Sequence, residues 1–158
     1  MKKKIRIIRY LLVFFIASLF ISGATAIPVD AELSYLLRLF PPDSNLHHWL
    51  SKVLRAYLQV KSEHTFLLYG YDWLAFAHFI LAILFIGPYI DPVKNIWVIR
   101  FGLIACALII PFAFITGSYR GIPIGWRLMD CSFGVLGAVP LFVCYRQVKQ
   151  LSFINPHS

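Results

Sequence analysis

The sequence predicts an all-α integral membrane protein, a single membrane domain over residues 1–158 with four transmembrane helices. The composition is 59% hydrophobic and only 14% charged, whereas soluble domains carry roughly a quarter charged residues. Four apolar runs approach the roughly 20 residues that a helix needs to cross a bilayer. One long polar segment, residues 30–72, separates the first apolar run from the other three. These three observations together define the fold class.

The first predicted span covers residues 10–29 and follows five basic residues: Lys2, Lys3, Lys4, Arg6 and Arg9. Such a start is typical both of a retained spanning helix and of a secretory signal. Gly23 and the small triplet 24–26 are typical of a cleavage region, but apolar Ile27 and Val29 continue the run. We therefore favour a retained helix, a signal anchor. Three spans remain if cleavage follows residue 26.

The polar segment 30–72 predicts two helices outside the spans. A helix over 31–40 ends at Pro41-Pro42, because proline cannot continue a helix. A longer helix over 45–62, capped by Asp43 or Ser44, has the three-then-four apolar spacing of one helical face: Leu46, Trp49, Leu50, Val53, Leu54, Tyr57 and Leu58. Such an amphipathic helix can lie on lipid headgroups or on the protein's own spans. The sequence leaves both alternatives open.

The other three spans are predicted over residues 73–89, 96–116 and 126–145. Gly87-Pro88 is expected to end the first of these, since both residues are common at helix ends and turns. Pro111 and Pro140 lie inside the other two. Within a membrane, proline usually kinks a helix without ending it, because neighbouring groups satisfy the freed carbonyl.

Lys and Arg are concentrated at the N-terminus, in the turn before residue 96 and in the C-terminal tail. The positive-inside rule therefore places both termini in the cytoplasm and the polar segment outside. The Lys-rich start and the compact size favour a multi-pass protein of a bacterial inner membrane, and a protein of the endoplasmic reticulum is the alternative with a similar pattern. The net charge of +8 forms no continuous basic stripe, which argues against a nucleic-acid partner. Anionic lipid of the bilayer is the expected counter-charge.

Ionisable residues inside the spans are the informative candidates, because an unpaired charge in hydrocarbon is costly. His78 follows Trp73 by five residues and Asp130 follows Trp126 by four. At about 1.5 Å per residue, both side chains lie at similar depth below the outer boundary. We predict that His78 and Asp130 form a hydrogen bond or ion pair between helices. Arg127 shares the helical face of Asp130, so the candidate catalytic residues are His78, Asp130 and Arg127.

The loop between the last two spans carries Arg120 and Arg127 beside several glycines. Guanidinium forks bind phosphate well, so these two arginines form the candidate lipid- or anion-binding site. An ordinary interfacial turn with charged anchors is the alternative. Within the third span, Arg100 is expected to pair with Asp91 or to extend towards the headgroups.

Neither a metal site nor a cofactor is predicted. The adjacent His47 and His48 point about 100° apart on a helix, so they do not form an i,i+4 chelate. His78 is the only histidine within a predicted span, which disfavours a haem with two histidine ligands. The three cysteines lie in apolar runs, as buried packing residues do, and none forms a CxxC pair: Cys106, Cys131 and Cys144.

The sequence predicts a small polytopic protein without catalytic activity, an accessory, binding or transport module. Its partner would be a membrane protein or a second copy. Small residues permit close helix packing within the chain or with such a partner: Gly102, Ala105, Gly134 and Gly137. The alternative is an enzyme acting on a lipid or lipid-linked phosphate at the outer interface. There the His78–Asp130 pair would move protons and the two loop arginines would hold the phosphate. The same pair serves equally well as a structural contact that fixes helix register.

Overall fold

A computed structural model describes residues 2–154 of the chain. The described residues are helical and contain no strand, which confirms the predicted all-α class. A 3-10 helix (Thr65–Leu68) and seven α-helices are present in this part of the chain, the latter being α1 (Lys2–Thr25), α2 (Val29–Leu39), α3 (Asn45–Glu63), α4 (Tyr69–Leu84), α5 (Ile86–Ile90), α6 (Ile96–Tyr119) and α7 (Ile124–Ile154).

Four helical stretches are long and apolar enough to cross a membrane: Lys3–Thr25, Thr65–Ile90, Ile96–Tyr119 and Ile124–Leu151. The number of helices long and apolar enough to cross a membrane is the number predicted. These stretches expose large apolar side chains, and several are 62–70% exposed: Phe14, Phe112, Ile115, Phe133 and Leu136. A monomeric soluble protein rarely exposes contiguous apolar surface on this scale, whereas surface of this kind is typical of contact with lipid.

The bounds of the spans differ from those predicted, for local reasons. α1 begins at Lys2 rather than residue 10, because Lys, Arg and Ile are compatible with helix. It ends at Thr25, shortly before Pro28, which disfavours helix in the residue before it. α7 begins at Ile124, where the Pro123 carbonyl accepts hydrogen bonds from the next turn. It continues through the polar residues after 145 to its end at Ile154.

The second span is interrupted at Phe85, three residues before Pro88, and continues past that proline. Pro88 has no N–H to donate to the carbonyl of Leu84, so one helical hydrogen bond is lost. Helical bonds remain around this point, since the Phe85 N–H donates to Leu81 (3.2 Å) and the Tyr89 N–H donates to Phe85 (3.3 Å). The apolar stretch therefore continues through a separate short helix, α5.

Contacts within the chain group it into two units. We call Met1–Ser18 with Leu81–Ser158 the span unit, and Leu19–Ile80 the hairpin unit. The span unit contains most of α1 and all of α5, α6 and α7. The hairpin unit contains the end of α1, the helices α2 and α3, and most of α4. Each unit is described separately below.

Glycines bring the helices of the span unit into close contact. A Cβ atom added to Gly134 of α7 would lie 2.6 Å from the backbone oxygen of Cys106 on α6. One added to Gly102 of α6 would lie 2.6 Å from the ring of Phe85. That ring also packs against Phe15 of α1, with ring centroids 4.7 Å apart. Small residues therefore permit close helix packing within this chain.

The hairpin unit is built around α2 and α3. Ser44 is the N-cap of α3, and its Oγ accepts a hydrogen bond from the N–H of His47 at 3.1 Å. An ion pair between Lys61 Nζ and Asp30 Oδ2, 2.7 Å apart, joins the end of α3 to the start of α2. Three side chains of these helices are buried: Leu33, Leu50 and Tyr57. Both helices lie within two residues of their predicted bounds.

Candidate functional site

Arg127 stabilises the loop between α6 and α7. Its Nε donates to the carbonyl oxygen of Ile122 at 2.7 Å, and one terminal nitrogen donates to Ser118 Oγ at 2.7 Å. A Cβ atom on Gly117 would lie 2.8 Å from Arg127 Cδ, so glycine makes room for this side chain. Among the described residues, no ion pair joins Arg127 to Asp130. Two nitrogens of this guanidinium are therefore engaged by the chain itself.

Arg120 has a different environment at the end of α6. Its backbone N–H donates to the Thr116 carbonyl at 2.9 Å, and the next residue, Gly121, has a φ of +66°, which glycine adopts without steric cost. The Arg120 guanidinium lies 5.6 Å from the ring centroid of Tyr119. It makes no hydrogen bond or ion pair in the part of the span unit that the structure describes. Of the two loop arginines, Arg120 is the one whose guanidinium makes no hydrogen bond with the described residues of its own unit.

Asp130 lies on the first half of α7 and is half-buried. Its carboxyl group makes no hydrogen bond or ion pair with the described residues of its own unit. A carboxyl group in this position is costly to keep charged within hydrocarbon. Asp130 is therefore an acidic group of the last span without a hydrogen-bond or ion-pair partner among the described residues of its unit.

His78 lies on α4 in the hairpin unit, where its Nδ1 donates to the carbonyl oxygen of Leu74 at 2.8 Å. Because a carbonyl only accepts, Nδ1 carries a proton, and in the neutral ring Nε2 is an acceptor. A Cβ atom on Gly23 would lie 3.0 Å from His78 Cβ. The end of α1 therefore passes close to the backbone side of this histidine.

The predicted contact between His78 and Asp130 stays a prediction, because the two residues belong to different units. The His78 tautomer adds a chemical condition to it. If Nε2 accepts, Asp130 has to be protonated to donate; if Asp130 is a carboxylate, the imidazole has to carry a second proton. In either case the pair holds one shared proton.

Arg100 does not pair with Asp91, one of the two outcomes expected from the sequence. Asp91 instead pairs with Lys94 at 3.7 Å, and its Oδ1 accepts hydrogen bonds from the N–H groups of Val93 and Lys94. The Arg100 guanidinium lies 5.5 Å from the ring centroid of Tyr145. Asp91 and Lys94 are three residues apart, and the Asp91 carboxylate also accepts hydrogen bonds from backbone N–H groups of the same turn. These local contacts favour Lys94 over Arg100 as its partner.

The described residues contain no group of three or more His, Cys, Asp or Glu placed to hold a metal ion. His48 Nδ1 donates to the Ser44 carbonyl at 2.9 Å within the first turn of α3. All three cysteines are unpaired and buried, as predicted for packing residues. The thiol of Cys144 donates to the backbone oxygen of Ile8 at 3.7 Å, so it links α7 to α1.

Two surface cavities were missed by sequence reasoning. One, of about 420 Å³, is lined by Ile5, Arg6, Arg9, Tyr10, Val13 and Tyr89 in the span unit. The other, of about 230 Å³, is lined by Tyr69, Asp72, Trp73 and Phe76 in the hairpin unit. The sequence signal for the first cavity is the helical spacing of residues 6, 9, 10 and 13.

No protein-family model matches the sequence, and no curated protein or solved structure matches it significantly. Function is therefore inferred from the chain's own residues, since fold alone does not define it.

Proposed function

We propose that the chain is a non-catalytic membrane module, an accessory, binding or transport component. The observation that carries this proposal is that polar side chains of the spans bond to their own backbone. They donate to carbonyl oxygens three or four residues earlier: Ser18 to Phe14, His78 to Leu74, Thr116 to Phe112 and Ser132 to Met129. An enzyme of the nucleophilic type needs a nucleophile bonded to a general base. The described residues contain no hydrogen bond of that kind.

Arg127 also supports a module without catalysis. The enzyme alternative needs this guanidinium for a phosphate, yet two of its nitrogens donate to Ile122 and Ser118. Releasing them would remove two hydrogen bonds donated by a charged group, each worth roughly 0.5–3 kcal/mol. A structural role accounts for Arg127 without that loss.

The module would act through helix faces and through the α2–α3 hairpin. This hairpin exposes large apolar side chains: Tyr35 (63%), Leu39 (58%) and Leu58 (46%). Exposed apolar groups rimmed by charge are typical of surfaces that bind a protein or a membrane. We infer that α3 is an interfacial amphipathic helix whose exposed side chains contact headgroups, a membrane-protein partner or a second copy.

We also infer that α1 is retained, as a signal anchor. Its side chains Ile8, Leu12 and Phe15 are buried in the span unit, and cleavage after residue 26 would remove all three from that core. Their removal would take these packing contacts away from the other helices of the span unit. The charge pattern supports a multi-pass inner-membrane topology with both termini in the cytoplasm and α2–α3 outside.

A second candidate function is favoured by Asp130. This half-buried carboxyl group makes no hydrogen bond within its unit, and His78 Nε2 is an acceptor without an assigned donor. Together with the accessible Arg120, they would suit an enzyme acting on a lipid or lipid-linked phosphate at the outer interface. Such an enzyme would pass the shared proton of the pair to or from its substrate.

Lipid analysis of cells distinguishes the two functions. Cells lacking the protein would be complemented with wild type, His78→Ala or Asp130→Asn, and their total lipids compared by mass spectrometry. For a module we expect no accumulating lipid in any strain. An enzyme would leave its substrate to accumulate in the deletion strain and in both variants, which would replace the first proposal with the second.

Partner binding is tested with purified wild type and a hairpin variant, Leu39→Ser/Leu58→Ser. Extraction in a mild detergent should recover the same membrane-protein partner or second copy with wild type and lose it with the variant. Gln59→Ala, an exposed polar position on the same helix, is the matched control. Equal recovery with all three proteins would show that the hairpin is not the binding surface.

A further inference from the structure

We propose that the groove beside the first half of α1 binds one anionic phospholipid, whose phosphate is held by Arg6 and Arg9. The groove has a volume of about 420 Å³. All of its lining residues belong to the span unit, and none belongs to the His78–Asp130 pair or to the α6–α7 loop. The inference therefore stands independently of the proposed function.

The groove changes from basic to apolar along α1. Arg6, Arg9, Tyr10 and Val13 recur at the three-and-four spacing of one helical face, and the helix rises about 10 Å from Arg6 to Val13. A phospholipid changes in the same order, from phosphate through the polar ester region to the acyl chain. The lining thus fits a lipid better than it fits a free anion, which has no group to place against Val13.

Arg9 lies beside an aromatic ring of the groove. Its guanidinium carbon lies 5.7 Å from the ring centroid of Tyr89 on α5, within the range of a cation–π contact. Such a contact uses no N–H donor, so the guanidinium can still form a fork with phosphate oxygens. Tyr89 therefore holds one arginine side chain at the wall of the groove.

No carboxylate neutralises these arginines within the described residues of the span unit. Asp91, two residues after Tyr89, is already engaged by Lys94 and by two backbone N–H groups. The neighbouring Lys4 donates to Gln150 Oε1 at 2.8 Å and is thus tied to α7. Arg6 and Arg9 consequently keep two positive charges for an external anion.

Native mass spectrometry of the purified full chain in detergent tests the site. The protein would be titrated with phosphatidylglycerol and, separately, with phosphatidylcholine carrying the same acyl chains. We expect wild type to bind one phosphatidylglycerol in preference to phosphatidylcholine. Arg6→Gln/Arg9→Gln should weaken phosphatidylglycerol binding roughly tenfold or more. Arg146→Gln/Lys149→Gln removes the same charge outside the groove and should leave binding unchanged.

A charge-conserving variant distinguishes a specific phosphate site from nonspecific electrostatic attraction. Arg6→Lys/Arg9→Lys keeps the net charge but lacks the guanidinium fork, so we expect binding to fall severalfold, with circular dichroism and size-exclusion profiles unchanged. This variant decides the question if the glutamine variant does not fold. Equal binding of both lipids, unchanged affinity in the lysine variant or an equal loss in the control would overturn the proposal. Displacement of the lipid by inorganic phosphate alone would assign the groove to a free anion and overturn it as well.

Discussion

The span unit and the hairpin unit pack their helices with different chemistry. The span unit has eleven Lys and Arg against two Asp, whereas the hairpin unit has four basic and five acidic residues. Helices of the span unit meet where glycine removes a side chain, as at Gly134 and Gly102. The two helices of the hairpin meet through buried side chains and the Asp30–Lys61 ion pair.

This difference follows from the solvent of each unit. Lipid tails are as apolar as leucine, so apolar burial alone does not drive helices together within hydrocarbon, and close backbone approach is needed instead. We propose that α2 and α3 lie outside the spans, where burial of an apolar side chain away from water is favourable. The span unit therefore adds close approach at glycines to its buried large side chains, such as Leu12 and Leu141, whereas α2 and α3 pack through large side chains and the ion pair.

The largest expected effect is that of Leu50→Ala. Leu50 is fully buried in α3, and losing such a side chain from a packed site costs about 2–5 kcal/mol. Fluorescence of the neighbouring Trp49, in a background with Trp73, Trp97 and Trp126 replaced by Phe, would follow the hairpin during chemical unfolding in detergent. Leu58→Ala on the same helix is the control, because Leu58 is exposed and its loss should cost within about 0.5 kcal/mol. Equal costs would mean that burial does not stabilise the hairpin.

Gly134→Ala should have the next largest effect, a loss of stability of about 1–3 kcal/mol. Its new methyl group would meet a backbone oxygen of Cys106, which cannot move away as a side chain can. Gly125→Ala adds the same atom to the same helix where nothing lies within 4 Å, and it should be neutral or stabilising by up to about 1 kcal/mol. Thermal unfolding in detergent measures both. If the two variants melt alike, α6 and α7 do not approach so closely.

The contact that the sequence predicts between His78 and Asp130 should have a smaller effect, an interaction energy of about 0.6–2 kcal/mol. Melting temperatures of His78→Leu, Asp130→Leu and the double variant would be compared with wild type. The double variant should lose less than the two single losses combined. Asp130→Asn should be milder than Asp130→Leu, since an amide can still bond an imidazole. Strict additivity would leave Asp130 without this partner.

The smallest effect concerns the exposed Asp30–Lys61 pair, which salt screens. The hydrogen bond from Lys61 lowers the pKa of Asp30 below its ordinary 3.8, and the same bond raises the pKa of Lys61 above 10.5. The stabilisation from Asp30 is lost as the pH falls through its lowered pKa, and that from Lys61 as the pH rises through its raised pKa.

Wild type should therefore exceed Lys61→Gln in hairpin stability between about pH 4 and pH 10, and the difference should shrink outside this range. Trp49 fluorescence during unfolding at several pH values checks this. Lys52→Gln, which removes a charge from the same helix, should show no such window. A difference independent of pH would show that the ion pair does not cause it.

The sequence predicted the number of spans and both hairpin helices because apolar length and helical spacing are local properties. It placed the end of the second span at residue 89, and the apolar helical stretch ends at Ile90. The break at Phe85 between α4 and α5 was not predicted; it lies where Pro88 leaves the carbonyl of Leu84 without a helical hydrogen bond. Side-chain partners were harder to predict. Helical spacing put Arg127 beside Asp130, whereas the guanidinium reaches back across the loop to Ser118, a contact that depends on how α6 meets α7. Arg100 was likewise matched by charge to Asp91, which its own turn engages first.

All three cysteines of the chain, Cys106, Cys131 and Cys144, are buried in the span unit, and the hairpin unit has none. Alkylating reagents should therefore react faster with these thiols when the helices that bury them move apart. The rate of alkylation therefore measures opening of the span unit alone, because the hairpin unit contains no cysteine. The wild-type chain can thus be followed by mass alone, without an introduced label.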